Sequence, residues 1–278
     1  MTVNILTDST SDLGAEIREE FKVDAIPLTV TIGGQAYLDE IEIDQDKLFD
    51  LVAQTGVLPK TAAPSLGEFQ KFFDRDGESI FIGISSRLSA TLQNALLAAE
   101  EMTAGRVRVI DSLNLSTGIG LLVLRAAELR DAGKSANEIE QDILACVPKV
   151  RTSFVIDRMD YLYKGGRCNA LQAIAGSVLK IHPIIEVQPD GTLGVKSKAR
   201  GIRQKGIQAM LDDFVAHLEQ LDRRRVFVTH TACPEDAEFL KSEIVRLAAP
   251  DDVRITRAGS VISSHCGPGT IGILYMVK

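Results

Sequence analysis

The segment "SIFIGISSRLSATLQNALLAAEEMTAGRVRVIDS", residues 79–112, carries the pattern that decides the fold. Residues 79–85 form a short apolar run with the length and content of a buried strand, and residues 88–102 have the apolar spacing of a helix. A second strand-like run follows at 106–112. A strand, a helix and a strand in this order predict a βαβ unit, in which the strands are parallel and the helix covers a face of the sheet.

The same alternation continues on both sides of this segment. Strand-like runs occupy residues 3–7 and 23–34. Helical spacing is found at 13–21, 44–56, 65–74, 115–133 and 135–147. Two of these helices begin with the Ser-x-x-Glu spacing of a capping box, at Ser65 and Ser135. Residues 1–150 are therefore predicted to form an α/β domain with a parallel sheet and helices on both of its faces.

The pattern changes after Pro148, where strands and helices mix with a hairpin signal, "QPDG", at 188–191. Strands are predicted at 151–157, 225–230, 253–259 and 271–277, helices at 201–221 and 234–248, and a turn followed by an apolar helix at 161–180. We therefore predict a second α/β domain at 151–278, with a mixed sheet, joined to the first domain near 148–155.

The composition is typical of a folded cytoplasmic protein. Hydrophobic residues make up 45% of the 278 residues, which is enough for a sizeable core. The 31 basic and 38 acidic residues give a net charge of −7, which argues against a general nucleic-acid surface. The acidic Asp8 interrupts the apolar N-terminal segment, whereas a signal peptide has an uninterrupted apolar stretch. No apolar run reaches the ~18 residues that span a membrane. We therefore expect no stable membrane insertion. The four cysteines form no C-x-x-C pair, so we expect reduced thiols.

Short hydroxyl side chains concentrate in four loops of the predicted first domain. These loops are 8–11, 60–65, 85–91 and 111–118. Because ligands of open α/β sheets bind beyond the carboxyl ends of parallel strands, hydroxyls gathered there favour an anion site. The alternative is that each of these residues only caps a helix.

His265 is the histidine with the most distinctive surroundings. It opens "HCGPGT", residues 265–270, where two glycines and a proline shape either a sharp turn that holds the imidazole or a plain hairpin connection. His182, His217 and His230 are widely spaced, and no pair has zinc-like spacing, so no metal is expected. His230 ends a predicted strand and could also face a cleft. Glycine-rich nucleotide loops and a G-x-S-x-G nucleophile elbow are absent from the sequence.

Six segments together resemble one known family. They are "ILTDSTSDL" from residue 5, "KTAAPS" from 60, "SSRLSATLQNA" from 85, "VIDSLNLSTGIG" from 109, "YLYKGGRCNAL" from 161 and "HCGPGTIGI" from 265. Their order and spacing are similar to those of the DegV family, whose members include the fatty-acid-binding subunit of the bacterial fatty acid kinase. The resemblance covers essentially the whole chain and implies two α/β domains with a fatty acid buried between them.

The resemblance also implies which residues bind the fatty-acid carboxylate. The family's T-S-x-P-S, S-S-x-L-S and H-x-G-P-G motifs match this sequence at Thr61, at Ser85 or Ser86, and at His265. Of the two serines we favour Ser86, because it is nearer the start of the following helix. Ala62 stands where a second hydroxyl is common in the family.

The resemblance implies a function shared with a second protein. This chain would bind a long-chain fatty acid and present it to a separate ATP-dependent kinase, which forms the acyl phosphate. It would then be a substrate-presenting subunit and not an enzyme, with no cofactor besides the bound fatty acid. Arg167, Arg200 and Arg203 would face the kinase or its phosphates, or be solvated surface charge, and the stretch 198–205 is a looser match to the family's basic run. Residues 170–181 would line an apolar tunnel or form a core helix.

Two other functions remain open from the sequence. The first is a carrier of another lipid without a kinase partner. The second is a hydrolase in which Asp8 or Asp111, Ser86 and His265 act as a triad, although the missing nucleophile elbow argues against it. The sequence leaves the preferred chain length, the unsaturation and the oligomeric state undetermined.

Overall fold

The computed structural model describes residues 3–168 and 181–278, and the chain forms thirteen strands and ten α-helices within them. The strands are β1 Val3–Asp8, β2 Val23–Ile26, β3 Thr29–Ile32, β4 Gln35–Leu38, β5 Lys60–Ala62, β6 Glu78–Gly83, β7 Val107–Asp111, β8 Val150–Val155, β9 Ile181–Val187, β10 Leu193–Arg200, β11 Leu221–His230, β12 Val253–Arg257 and β13 Ile271–Val277. The helices are α1 Gly14–Glu20, α2 Gln45–Thr55, α3 Leu66–Phe73, α4 Thr91–Glu100, α5 Thr117–Asp131, α6 Ala136–Cys146, α7 Met159–Gly165, α8 Arg203–Ala216, α9 Pro234–Ala248 and α10 Ser260–Cys266.

The N-terminal part of the chain contains the predicted parallel sheet. Its strand order is β2-β1-β6-β7, and every neighbouring pair is parallel. Ile80, Phe81 and Ile82 on the inner strand β6 are fully buried, because helices cover both faces of a parallel sheet. The capping boxes at Ser65 and Ser135 both form, so the helix starts predicted from those pairs are confirmed.

The C-terminal part contains the predicted mixed sheet. Its order is β10-β9-β8-β13-β11-β12, in which β11 and β12 are parallel and the other pairs are antiparallel. The hairpin signal "QPDG" joins β9 to β10, and the Gln188 N–H donates to the Thr192 carbonyl at 2.8 Å. One prediction in this part is wrong, because helix α7 occupies the expected turn at residue 161. The apolar helix predicted after it falls on residues 169–180, outside the described part of the chain.

A third, antiparallel sheet was not predicted. It has the order β4-β3-β5 and arises because the run 23–34 divides at Pro27, which has no N–H to donate. Strand β3 then leaves the parallel sheet and pairs with β5, with Val30 opposite Thr61. Residues 60–62, expected to be loop, therefore form a strand that fixes Thr61.

One core joins the two parts of the chain. Helix α5 lies between the parallel and mixed sheets and is buried on nearly all sides. The largest apolar cluster combines Ile5 and Ile119 with Phe154 and Leu274. A domain boundary at residue 150 therefore stays a prediction. Among the described helices, none is long and apolar enough to cross a membrane.

Candidate functional site

His265 lies in the last turn of α10. This corrects both expectations for "HCGPGT", a sharp turn or a plain hairpin connection, because the histidine belongs to a helix. Gly267 ends the helix with φ of +73°, a conformation that favours glycine. A Cβ at this position would lie 2.8 Å from Tyr161 Cδ2, so the close approach of α7 also requires a glycine.

Thr61 and His265 are in direct contact. Thr61 Oγ1 is 2.8 Å from His265 Nε2, although the residues are 204 positions apart in the sequence. Strand β5 fixes Thr61 through its pairing with β3, and α10 packs against both strands. The structure thus brings together two of the residues that the resemblance assigned to one site.

The imidazole of His265 is buried and held in its neutral form. Burial, and then the nearby Arg167 guanidinium, lower the pKa of His265 to about 4. Nδ1 is buried and has no hydrogen-bond partner among the described residues. It faces the end of α7, where a Cβ on Gly165 would lie 2.5 Å from it. At neutral pH the ring therefore offers one N–H donor and one acceptor.

A cavity of about 40 Å³ opens beside this pair. Its polar lining consists of Thr61, Ser89, Arg167 and His265. The remaining described lining is largely apolar: Leu28, Ile84, Leu88, Leu115, Leu162, Leu193, Val261, Ile262 and Cys266. The cavity therefore combines a small polar end with a hydrocarbon-like interior, as binding sites for amphiphiles do.

A second cavity of about 30 Å³ lies next to the first, and its lining also includes the polar side chains of Ser116, Thr152, Thr229, His230, Thr231 and Thr270. The two cavities share Leu115, Ile262 and Cys266, and the second extends to Phe154 and Leu274 beneath the mixed sheet. A water molecule needs roughly 10–15 Å³ of such space, so each cavity holds only a few. An alkyl chain therefore requires the shared side chains to move apart.

The structure does not bring Ser85 or Ser86 to His265. Ser85 is fully buried, and its hydroxyl donates to the Gly191 carbonyl at 2.8 Å, which fastens the β9–β10 turn to the parallel sheet. Ser86 is exposed, and its backbone N–H donates to the Asp111 carboxylate at 3.3 Å. Ser89 lines the cavity instead. The preference for the serine nearest the helix start would have selected Ser89, since α4 begins only at Thr91.

The three candidate arginines have different surroundings. Arg167 lines the cavity, and its guanidinium donates to the carbonyls of Leu88, at 3.3 Å, and Gly165, at 2.6 Å. Arg200 is exposed and forms no ion pair with the described residues. Arg203 is engaged inside the protein, where it pairs with Asp236 and donates to the Gly269 carbonyl at 3.0 Å. These internal contacts argue against a role for Arg203 in binding a partner, and the expected contact stays a prediction.

The four hydroxyl loops do not form one anion site. Only the second and third loops supply hydroxyls beside His265, namely Thr61 and Ser89. In the first and fourth loops, hydroxyls bond to buried carboxylates; Ser116 Oγ, for example, donates to Asp12 at 2.5 Å. A hydrolytic triad is also missing, because Thr61 occupies Nε2 of His265 and no described carboxylate reaches Nδ1. No three His, Cys, Asp or Glu side chains in the described ranges are grouped to hold a metal ion.

Comparison with known proteins places the chain in a family. A family profile described as "Uncharacterised protein, DegV family" matches residues 2–278. The chain belongs to the DegV family. A DegV domain-containing protein of Caldanaerobacter subterraneus is 33% identical over 285 residues, covering 99% of each chain.

Solved DegV structures have the same fold. The structure titled "Fatty Acid Binding of a DegV family Protein from Thermus thermophilus" superposes with a TM-score of 0.93 at 30% identity, over 100% of both chains. The Fatty Acid Kinase B3 protein of Streptococcus pneumoniae, loaded with linoleic acid, has a TM-score of 0.88 at 25% identity, again over 100% of both chains. The predicted family and two-part α/β fold are thus confirmed.

Replacing Gly165 with alanine in this DegV protein should displace the His265 ring. The added methyl would lie 2.5 Å from Nδ1, and overpacking of a tight contact destabilises a protein by about 1–3 kcal/mol. We expect a lower free energy of unfolding in urea and shifted His265 ring resonances in nitrogen NMR spectra.

The matched control is Gly67→Ala in α3, where the new methyl meets no described atom within 4 Å. Because Gly67 is exposed and lies in the first turn of α3, that change should alter the free energy of unfolding by no more than about 0.5 kcal/mol. Equal effects of the two substitutions would contradict the close contact at Gly165.

Proposed function

We propose that this chain binds a long-chain fatty acid and presents its carboxylate to a separate ATP-dependent kinase. The carboxylate lies against Thr61, Ser89 and His265, and the alkyl chain follows the apolar path past Leu115 and Ile262. The observation that carries the proposal is the Thr61–His265 pair at the polar end of that path. The fatty acids named for DegV proteins of similar fold support it.

The chemistry of these residues suits a carboxylate that must later react. Burying an alkyl chain contributes roughly 0.8 kcal/mol per methylene, whereas a buried carboxylate must be hydrogen-bonded. With His265 Nε2–H donating to Thr61 Oγ1, the Thr61 hydroxyl is free to donate to the carboxylate, and the His265 ring donates to it directly once that contact opens. Neither forms a permanent ion pair, so an oxygen of the carboxylate remains a usable nucleophile for phosphoryl transfer.

Two arginines are available for the partner step. Arg167 stands at the edge of the cavity, and Arg200 is exposed without an ion pair to the described residues. In this proposal both contact the kinase or its nucleotide phosphates, and Arg203 does not, because Asp236 already neutralises it.

Mass spectrometry of the purified protein under native conditions tests the binding step. A stoichiometric fatty acid, released on denaturation and identified by lipid analysis, is the expected result. An unliganded mass that gains nothing from added oleate or palmitate would overturn the proposal.

The presentation step is tested by adding ATP and a fatty acid kinase catalytic subunit and trapping acyl phosphate with hydroxylamine. Binding without any acyl phosphate would leave a lipid carrier with no kinase partner.

Ser89 and Ser86 should differ in their effect on binding. A hydrogen bond to a charged group contributes about 1.5–3 kcal/mol, so Ser89→Ala should weaken fatty-acid binding about 10-fold or more. Ser86→Ala should leave the Kd unchanged, because Ser86 is exposed and lies outside the cavity lining. Displacement of a fluorescent fatty acid measures the Kd of both variants. A larger effect of Ser86→Ala than of Ser89→Ala would mean that Ser86 binds the carboxylate.

A further inference from the structure

Two buried carboxylates hold the N-terminal end of α10. Asp39 Oδ1 accepts the backbone N–H of Ser260 at 2.7 Å and that of Val261 at 3.3 Å. Asp12 Oδ1 accepts the Gly259 N–H at 2.8 Å. Both acids come from the N-terminal part of the chain, whereas α10 belongs to the C-terminal part. The first N–H groups of a helix have no partner within it, so these carboxylates satisfy them from outside.

The two carboxylates are themselves fixed by hydroxyls. Ser9 Oγ donates to Asp39 Oδ2 at 2.8 Å, and Ser116 Oγ donates to Asp12 Oδ2 at 2.5 Å. Asp12 and Asp39 are each about 1% exposed, so neither can swing into solvent. Ser9 and Ser116 belong to the two hydroxyl loops that contribute nothing beside His265. Their hydroxyls instead orient Asp39 and Asp12, which accept the first N–H groups of α10.

The fit around this helix end is close. A Cβ on Gly259 would lie 3.2 Å from both carboxylate oxygens of Asp39 and 3.4 Å from Asp12 Oδ1. The backbone therefore approaches the two acids as nearly as a glycine permits. Burial raises the pKa of Asp12 and that of Asp39, and an uncharged carboxyl group still has an oxygen that accepts these N–H groups.

The opposite end of α10 carries His265. The helix has only seven residues, and helices this short are unstable without fixed ends. At a rise of about 1.5 Å per residue, Ser260 and His265 are separated by roughly 7.5 Å along the axis. A small displacement of the first turn thus moves the imidazole by a similar distance. Such a movement would break the 2.8 Å hydrogen bond between His265 Nε2 and Thr61 Oγ1.

We propose that Asp12 and Asp39 are positioning residues for His265: by holding the first turn of α10 from the N-terminal part of the chain, they set the imidazole against Thr61. The effect on fatty-acid affinity rests on the proposed function, whereas the effect on the His265 ring does not. Neither acid lines the cavity, so both act through neighbouring elements. Asp39 acts through α10 and also through Ser9, whose Oγ accepts the Leu28 N–H at 3.1 Å just before β3.

The test compares Asp39→Ala, Asp39→Asn and the control Asp8→Asn. Asp8, the last residue of β1, is also a buried acid, but it accepts the N–H groups of Thr10 and Ile84 and none from α10. Asparagine at position 39 keeps an oxygen for the Ser260 N–H, whereas alanine does not. The readouts are the ring nitrogen resonances of His265 in the ligand-free protein and the Kd for oleate.

We expect Asp39→Ala to shift the His265 resonances, to leave those of His217 in place, and to weaken oleate binding about 10-fold. Asp39→Asn should restore both readouts to nearly wild-type values, and Asp8→Asn should change neither. Unchanged His265 resonances and an unchanged Kd in a folded Asp39→Ala protein would overturn the inference.

If Asp39→Ala fails to fold, Asp39→Glu replaces it, because the extra methylene displaces the carboxyl group without removing it. The same shift in the His265 resonances is then expected, and its absence would overturn the inference. A wild-type protein that binds no oleate would instead defeat the proposed function, and the ring resonances would still decide the role of Asp39.

Discussion

His265→Ala should weaken fatty-acid binding about 100-fold, because a buried carboxylate loses a hydrogen bond worth about 1.5–3 kcal/mol and a cavity is left behind. Thr61 also loses its partner, since its hydroxyl contacts His265 Nε2 at 2.8 Å. Titration of the lipid-free protein with oleate, followed by calorimetry or dye displacement, gives the Kd. His265→Gln should bind with intermediate affinity, because the amide retains an N–H donor near the same place.

The matched control is His217→Ala. The His217 ring bonds through Nδ1 to the Asp213 carbonyl on its own helix at 2.7 Å and lines neither cavity. This variant should bind oleate like the wild type. A similar loss in both variants would mean that the effect is one of general stability, and no loss in His265→Ala would remove His265 from the site.

Much of the fold follows from local sequence patterns. Apolar runs such as 79–85, and capping boxes such as that of Ser65, depend on residues a few positions apart. The hairpin at 188–191 is equally local, because its turn residues fix the connection. These patterns suffice to predict a parallel sheet followed by a mixed sheet, and the structure agrees.

The elements that were missed depend on contacts between distant residues. Strand β5 has three residues and exists because β3 offers an unpaired edge about thirty positions earlier in the chain. Helix α10 has only seven residues, and its first turn is completed by Asp39, which is 221 positions away from Ser260. No local pattern can encode a partner at that distance.

The residues of the candidate site also separate into those that the sequence could identify and those that depend on distant contacts. The family resemblance led to Thr61, His265 and Arg167, and the structure places all three at one cavity. Ser85 and Ser86 came from the same resemblance, and their role stays a prediction; the helix start used to choose between them was placed three residues too early, since α4 begins at Thr91. Arg203 appeared free in the sequence, and its engagement with Asp236 required the packing of α8 against α9.

The stability of the wild type should fall on acidification relative to that of His265→Gln. The pKa of His265 is lowered by burial, and then by Arg167, from 6.5 to about 4. Between these values the unfolded chain binds a proton at this ring and the folded protein does not, so acid favours unfolding. Over the window from pH 7 to 4, the difference in unfolding free energy between the two proteins should change by up to about 3 kcal/mol. Urea denaturation at several pH values measures it.

The comparison with His265→Gln is needed because buried acids act in the opposite direction. Burial raises the pKa of Asp8 to about 6 and that of Glu40 to about 7, so the folded protein binds more protons there than the unfolded chain. These two carboxyl groups make the folded state more stable as the pH falls toward 4, and they are common to both proteins. Subtracting the two curves leaves the contribution of one imidazole. Parallel curves would mean that His265 titrates normally in the folded protein, and that the ring is already hydrated where the fatty-acid carboxylate is proposed to bind.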